Sequence, residues 1–294
     1  MTRCTAVRMD DALPDLLSAG SGTVHSVYRS SVNLQMKNGM LCTLLDPTDD
    51  LGPNGIVLSA AVGFMDPELG LRRGARVLAD RGTVRAGMLI VDLTGAARIS
   101  CMVTPGGRMP GMEALHSGAA RLDMLLQRRP AFAEGSALQG MFDERTRSLQ
   151  AAALQTPEQL MGAAERLIGL GMGLTPSGDD FLTGCLAALW YAAGAEHPAV
   201  PALRQALAGA DGLTTDVGRA MLSAAEAGRF RTSLLALIEE LFRPAADIED
   251  SEWEKKAERV ACYGASSGWD MLSGVSAGCR ILLAQEQNTM MEEG

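Results

Sequence analysis

The chain has 294 residues, 47% of them apolar and 4% aromatic, with a formal net charge of −9. This is a globular composition of one large or two moderate domains, with a core built mostly from Leu, Ala, Val and Met. The acidic balance and the lack of a lysine-rich run argue against nucleic acid and against an anionic membrane surface as partners.

Met1 to Asp10 intersperses charges among its apolar residues and carries no signal-type hydrophobic run, so a cytoplasmic location is expected. From Gly22 to about Pro105, short β-branched runs alternate with turn signals: Thr23–Tyr28, Leu41–Leu45, Gly55–Ser59, Arg85–Asp92 and Ala97–Val103. They predict a mainly antiparallel sheet or small barrel. Pro105-Gly-Gly-Arg-Met-Pro-Gly111 interrupts either periodicity and suggests a boundary, giving a β-rich domain over 1–107 and an α-helical one over 108–294.

Beyond that boundary the chain reads as helical. Helices are expected over Glu113–Arg128, Glu134–Leu154, Thr156 to about Ile168, Gly178 onward, Asp216–Ala227, Thr232–Phe242, Ser251–Tyr263 and Gly268 to about Glu286. Thr156-Pro-Glu-Gln159 is a capping box with proline at the first helical position. Cys185–Ala195 is too short an apolar run to span a bilayer and predicts a buried helix, while the polar tail from Gln287 is expected to fray. The fold class is therefore α+β. The six cysteines form no Cys-x-x-Cys pair, and none of the three histidines stands at metal-ligand spacing, so a disulfide framework and a zinc site have little support.

The strongest functional signal is Gly169-Leu-Gly-Met-Gly-Leu-Thr-Pro-Ser-Gly-Asp-Asp-Phe-Leu-Thr-Gly184, whose second half returns as Ser267-Gly-Trp-Asp-Met-Leu-Ser-Gly274. One helix-loop-helix unit is used twice, and a site is expected where the loops converge. Gly171 and Gly173 suit a backbone that takes positive φ or passes close to a ligand. The loop N–H groups, Gly178 and Gly268 at the helix starts, and the hydroxyls of Thr175, Ser177, Ser266 and Ser267 suit anionic oxygens. Asp179, Asp180 and Asp270 suit amide N–H groups, and are the candidate catalytic residues. The pattern fixes no cofactor; a magnesium ion on the same three aspartates is possible by residue type, although neighbouring helical side chains point about 100° apart and rarely share one ion unaided. First-turn aspartates also serve helix capping alone. Arg29, Asn33 and Asn54 are candidate contributions from the β-rich domain, against the blander reading of a surface arginine and turn-forming asparagines. The loop lacks the Gly-Lys-Ser/Thr ending of a P-loop, and a helix rather than a strand precedes it.

This signature resembles that of a bacterial family that includes the AllH-type subunit of oxamate carbamoyltransferase, an enzyme of allantoin degradation and so of purine catabolism. Thr214-Thr-Asp-Val-Gly218 and Gly264–Gly274 share in the resemblance, as do, less specifically, Val24–Tyr28, Val32-Asn33 and Gly52–Ile56. The resemblance implies transfer of a carbamoyl group between oxamate and phosphate, carried out with other subunits, on a small anionic substrate such as carbamoyl phosphate or oxamate. Many relatives carry histidine where this chain has Ala265, and a hydroxyl where it has Gly218, which puts the substrate of this member in question. Two other readings are a non-catalytic assembly or effector-binding subunit and a magnesium-dependent hydrolase of a small phosphorylated or amide substrate.

Overall fold

The computed structural model describes residues 1–13, 20–80, 82–106, 110–130, 137–243 and 250–292. Its contacts divide the chain into two units, Met1–Cys101 and Met102–Gly294. Residues 107–109, within the expected boundary, lie outside the described residues.

The first unit contains β1 (Thr2–Asp10), β2 (Ser21–Val27), β3 (Ser31–Met36), β4 (Leu41–Leu45), β5 (Gly55–Leu58), β6 (Arg76–Ala79), β7 (Thr83–Ala86), β8 (Leu89–Asp92) and β9 (Ala97–Ile99). Neighbours run β5-β4-β3-β2-β6-β7-β8-β1, and β1 pairs back onto β5 antiparallel, so eight strands close into a barrel. Closure leaves these short strands without an open edge. The long β1 pairs with β8 through Thr2–Thr5 and with the extra strand β9 through Arg8–Asp10, both parallel. Alternation sends Val32, Leu34 and Met36 of β3 and Cys42 and Leu44 of β4 into the barrel core, and Asn33 and Thr43 to the other face.

The barrel is thus the small-barrel form of the expected β-rich domain, with local corrections. Three strands were not anticipated: β1, whose scattered charges resemble a tail, together with β3 and β6. The run Arg85–Asp92 is a hairpin rather than one strand, because Gly87 takes φ 53° between β7 and β8. At that glycine a Cβ would collide with the Leu69 carbonyl oxygen, so the turn needs glycine for space as well as for φ.

The second unit is helical: α1 (Met112–Leu126), α2 (Ala137–Ala152), α3 (Pro157–Glu165), α4 (Ser177–Ala193), α5 (Ala199–Ala208), α6 (Asp216–Glu226), α7 (Thr232–Leu241), α8 (Asp250–Ala261) and α9 (Ser267–Glu292). Thr156 and Gln159 form the expected capping box at the start of α3. Helix α5 is an addition, and α9 continues to Glu292 where fraying was expected after Glu286. The expected start of α2 at Glu134 lies outside the described residues.

Helix α4 is buried on every side from Gly178 to Trp190, so it forms the axis of this unit. Against it lies α9. Their backbones approach so closely that a Cβ on Gly184 would collide with the Met271 carbonyl oxygen, and one on Gly274 with that of Phe181. Cys42, Cys101, Cys185 and Cys279 are buried, and burial pushes the Cys42, Cys185 and Cys279 thiols up to about 12, so these three act as small apolar residues.

Candidate functional site

The duplicated motifs meet. Ser177 and Ser267 begin α4 and α9, and the contacts of the two copies are reciprocal. Gly184 meets the backbone of Met271 while Gly274 meets that of Phe181, residues at matching motif positions. Thr183 donates to the Asp179 carbonyl at 2.8 Å, and its counterpart Ser273 to the Trp269 carbonyl at 2.9 Å. The N–H groups of Gly178 and Gly268 each donate into the preceding turn, to Leu170 and Tyr263. Such reciprocity is what an approximate two-fold axis between the halves produces. Across that axis the hydroxyls of Thr175 and Ser267 are 2.9 Å apart.

Three carboxylates gather at this junction, all fully buried, and each has a different set of neighbours. Asp179 accepts from the Gly169 N–H at 2.7 Å and from the Thr214 hydroxyl, tying the glycine loop to the segment that precedes α6. Burial raises its carboxyl above the ordinary 3.8 against these two donors. Asp270 receives the Arg129 guanidinium, with Nη2 at 2.7 Å from Oδ1, while its Oδ2 has no hydrogen-bond partner among the described residues. Burial raises this carboxyl too, opposed by the Arg129 charge and by the nearby Ser177 and Ser266 hydroxyls. Among the described residues Asp180 is met by no cation, and neither of its oxygens has a hydrogen-bond partner. The Ser267 and Thr175 hydroxyls beside it favour its charged form, yet burial dominates, and the Asp270 charge adds to it, holding the Asp180 carboxyl well above 3.8.

Next to Asp270 opens a cavity of about 200 Å³. Arg129, Gln139, Ser177, Ser266 and Asp270 supply its polar lining, and Leu138, Phe142 and Leu170 its apolar wall. The volume corresponds to roughly six or seven water molecules and suits a ligand of a few heavy atoms. Gly171, also on this wall, has φ 131°, and a Cβ there would collide with the Ser177 N–H group. Gly173 has φ 98° and open space around it, next to the exposed Met172.

The sequence-predicted residues therefore separate. Gly171, Ser177, Ser266 and Asp270 line the cavity, and Thr175, Ser267 and Asp180 lie together outside its lining. Gly178 and Gly268 serve helix packing, since a Cβ on either would collide with the carbonyl oxygen of Leu167 or Val260. Arg29, Asn33 and Asn54 belong to the barrel unit. Arg29 is exposed. Asn33 donates to Ser26 Oγ at 3.0 Å and accepts from Thr43 at 2.8 Å, in a cross-strand row that reaches His25 Nδ1. A bulge between Val24 and Ser26 accompanies this row. Asn54 has φ 58° and gives its N–H to Asp10 at 2.5 Å, as a turn asparagine does.

Arg129, just past the end of α1, was not legible as a site residue, because a charge after a helix looks like a solvated cap. Among the described residues no group of three or more His, Cys, Asp or Glu side chains could hold a metal. The two positions at which the resemblance suggests a departure, 218 and 265, differ in setting. Ala265 is exposed, whereas a Cβ on Gly218 would collide with Asp179 Oδ2 and come 2.5 Å from the Thr214 hydroxyl. Without a side chain at 218, Thr214 is free to approach Asp179.

Among the described residues no helix is long and apolar enough to cross a membrane. No solved structure matches the chain. The AllH family N-terminal domain matches residues 5–98, and the oxamate carbamoyltransferase subunit AllH family matches residues 167–279, which include both copies of the motif. The chain belongs to the AllH family of oxamate carbamoyltransferase subunits.

Proposed function

We propose that this chain binds a small anionic substrate, carbamoyl phosphate or oxamate, at the paired helix N-termini, and acts in carbamoyl transfer within a complex with other subunits. The observation that carries the reading is the cavity in which the Arg129 guanidinium, the Ser177 and Ser266 hydroxyls and the beginnings of α4 and α9 come together beside Asp270. A guanidinium with helix N-terminal donors favours carboxylate or phosphate oxygens. The Asp270 carboxylate, which lines the cavity beside Arg129, has lone pairs to accept from the amide N–H that both substrates carry.

In this reading the protein's own groups act by placement. Arg129 and the hydroxyls fix the anionic end, Asp270 orients the amide, and the apolar wall limits water around the transferring carbonyl. Asp179 keeps the loop in shape. Such a site lowers the barrier through orientation and charge stabilisation, without a histidine relay. The place of the reaction is allantoin degradation, in the cytoplasm.

The test is phosphate-dependent formation of carbamoyl phosphate from carbamoylated oxamate. The isolated chain is expected to be folded and inactive, and to support turnover once the partner subunits are added. Undiminished turnover by the partners without this chain would show that it is dispensable. Turnover by this chain alone would remove the dependence on partners. An assembly or effector-binding subunit would instead leave turnover intact when Arg129 and Ser177 are replaced in the assembled complex.

A further inference from the structure

Asp180 stands out in the buried interior. Its equivalent in the second motif copy, Asp270, is matched by Arg129, whereas among the described residues Asp180 is met by no cation and neither of its oxygens has a hydrogen-bond partner. Three fully buried carboxylates face one guanidinium and two helix N-termini, which leaves roughly one negative charge uncompensated when each helix end counts as about half a positive charge. A buried charge of this kind costs several kcal/mol unless something balances it. The groups around it are hard oxygens: the hydroxyls of Thr175 and Ser267 beside Asp180, those of Ser177 and Ser266 beside Asp270, and the unpartnered Oδ2 of Asp270.

We propose that Asp180 and Oδ2 of Asp270 hold one divalent cation, with the hydroxyls of Thr175 and Ser267 among its oxygen ligands. Asp179 is not part of this site, because Gly169 and Thr214 occupy both of its oxygens. Two carboxylates with hydroxyls and water suit magnesium or manganese. Such ions bind through one or two carboxylates and complete their shells with water or with the oxygens of an anionic ligand. The site takes its oxygens from both motif copies, which gives a reason for the duplicated serine and aspartate: one unit alone supplies half of a coordination shell. A cation here would add positive charge next to the cavity that Arg129 lines.

The inference concerns the same junction as the proposed transferase site but does not depend on the identity of the substrate. Manganese binding to the full chain, read by electron paramagnetic resonance without anion or partner subunits, therefore tests it separately. Wild-type protein should bind one ion saturably, magnesium should compete for it, and the unfolding midpoint should rise with manganese concentration. Asp180→Asn and Asp270→Asn should each weaken binding by at least about tenfold. Absence of saturable binding in the wild type, or Asp180→Asn binding as tightly as wild type, would overturn the proposal. If Asp180→Asn does not fold, Ser267→Ala decides in its place: weaker manganese binding supports the site and unchanged affinity overturns it. Anion binding to the cavity, followed by calorimetry with phosphate in the presence of a chelator, reports on the proposed function alone.

Discussion

Gly184 lies so close to Met271 that a Cβ on it would collide with the Met271 carbonyl oxygen. The same contact recurs between Gly274 and Phe181, and Gly278 lies one turn further along α9, where a Cβ would come 2.9 Å from the Ala188 Cβ. These glycines let two helix backbones touch, and the contact sets how far apart Ser177 and Ser267 stand. Backbone cannot move aside as a flexible side chain does, so Gly184→Ala and Gly274→Ala are each expected to cost about 3 kcal/mol, the upper end of overpacking. Urea unfolding of both variants measures this. A loss below about 1 kcal/mol in both would mean that the helices separate at little cost.

Arg129 and Asp270 form a partly buried pair, with the arginine side chain 21% exposed and the aspartate fully buried. Removing only the cation leaves a buried carboxylate unpaired, so Arg129→Ala is expected to destabilise by about 3 kcal/mol and to abolish phosphate binding in the cavity. Adding Asp270→Asn should restore much of the stability but none of the binding. A double-mutant cycle separates the two effects, and additive stability losses would show that the pair is not coupled.

Much of this arrangement was readable from the sequence because it is local. The motif repeat, the helix starts at Ser177 and Ser267, and the capping box at Thr156 are all decided by residues within a few positions of one another. The missed pieces depend on distant partners. Arg129 gains its role from Asp270, 141 positions away, and Asp179 from Thr214. Strand β3 carried a clear alternation in Ser-Val-Asn-Leu-Gln-Met but lay between turn residues. Strand β1 is recognisable only once β5, β8 and β9 pair with it. Asp179 and Asp180 are indistinguishable as neighbours in sequence. Their different surroundings come from the helix geometry that sends one toward Gly169 and the other toward the second motif copy.

Gly171 and Gly173 both take positive φ, but only Gly171 is short of space. Alanine at 173 meets nothing and is expected to cost about 1–2 kcal/mol of backbone strain. Alanine at 171 adds a collision with the Ser177 N–H at the start of α4, so it should displace that helix end and abolish phosphate binding as well. Calorimetric titration of the two variants distinguishes them. Equal binding by both would separate the loop from the ligand.

Asp180 also makes a prediction for stability against pH in the metal-free chain. Burial holds its carboxyl well above the ordinary 3.8 in the folded state. Between the ordinary value and the raised one the native chain keeps a proton that the unfolded chain has lost. The stabilising contribution is therefore complete below about pH 4 and is lost as the pH rises through the raised value. Asp180→Asn keeps the size of the side chain and removes the titration. In the presence of a chelator, wild-type stability should fall relative to Asp180→Asn as the pH rises above the ordinary carboxylate range and through the raised value, and the two should converge under acid conditions. The comparison with the variant cancels the opposite contribution of carboxylates such as Asp80 and Asp92, whose values are lowered by backbone N–H bonds. Urea unfolding at several pH values gives the difference directly. Parallel profiles would mean that Asp180 titrates alike in the folded and unfolded chain, and that its burial is balanced by a donor or cation already in place.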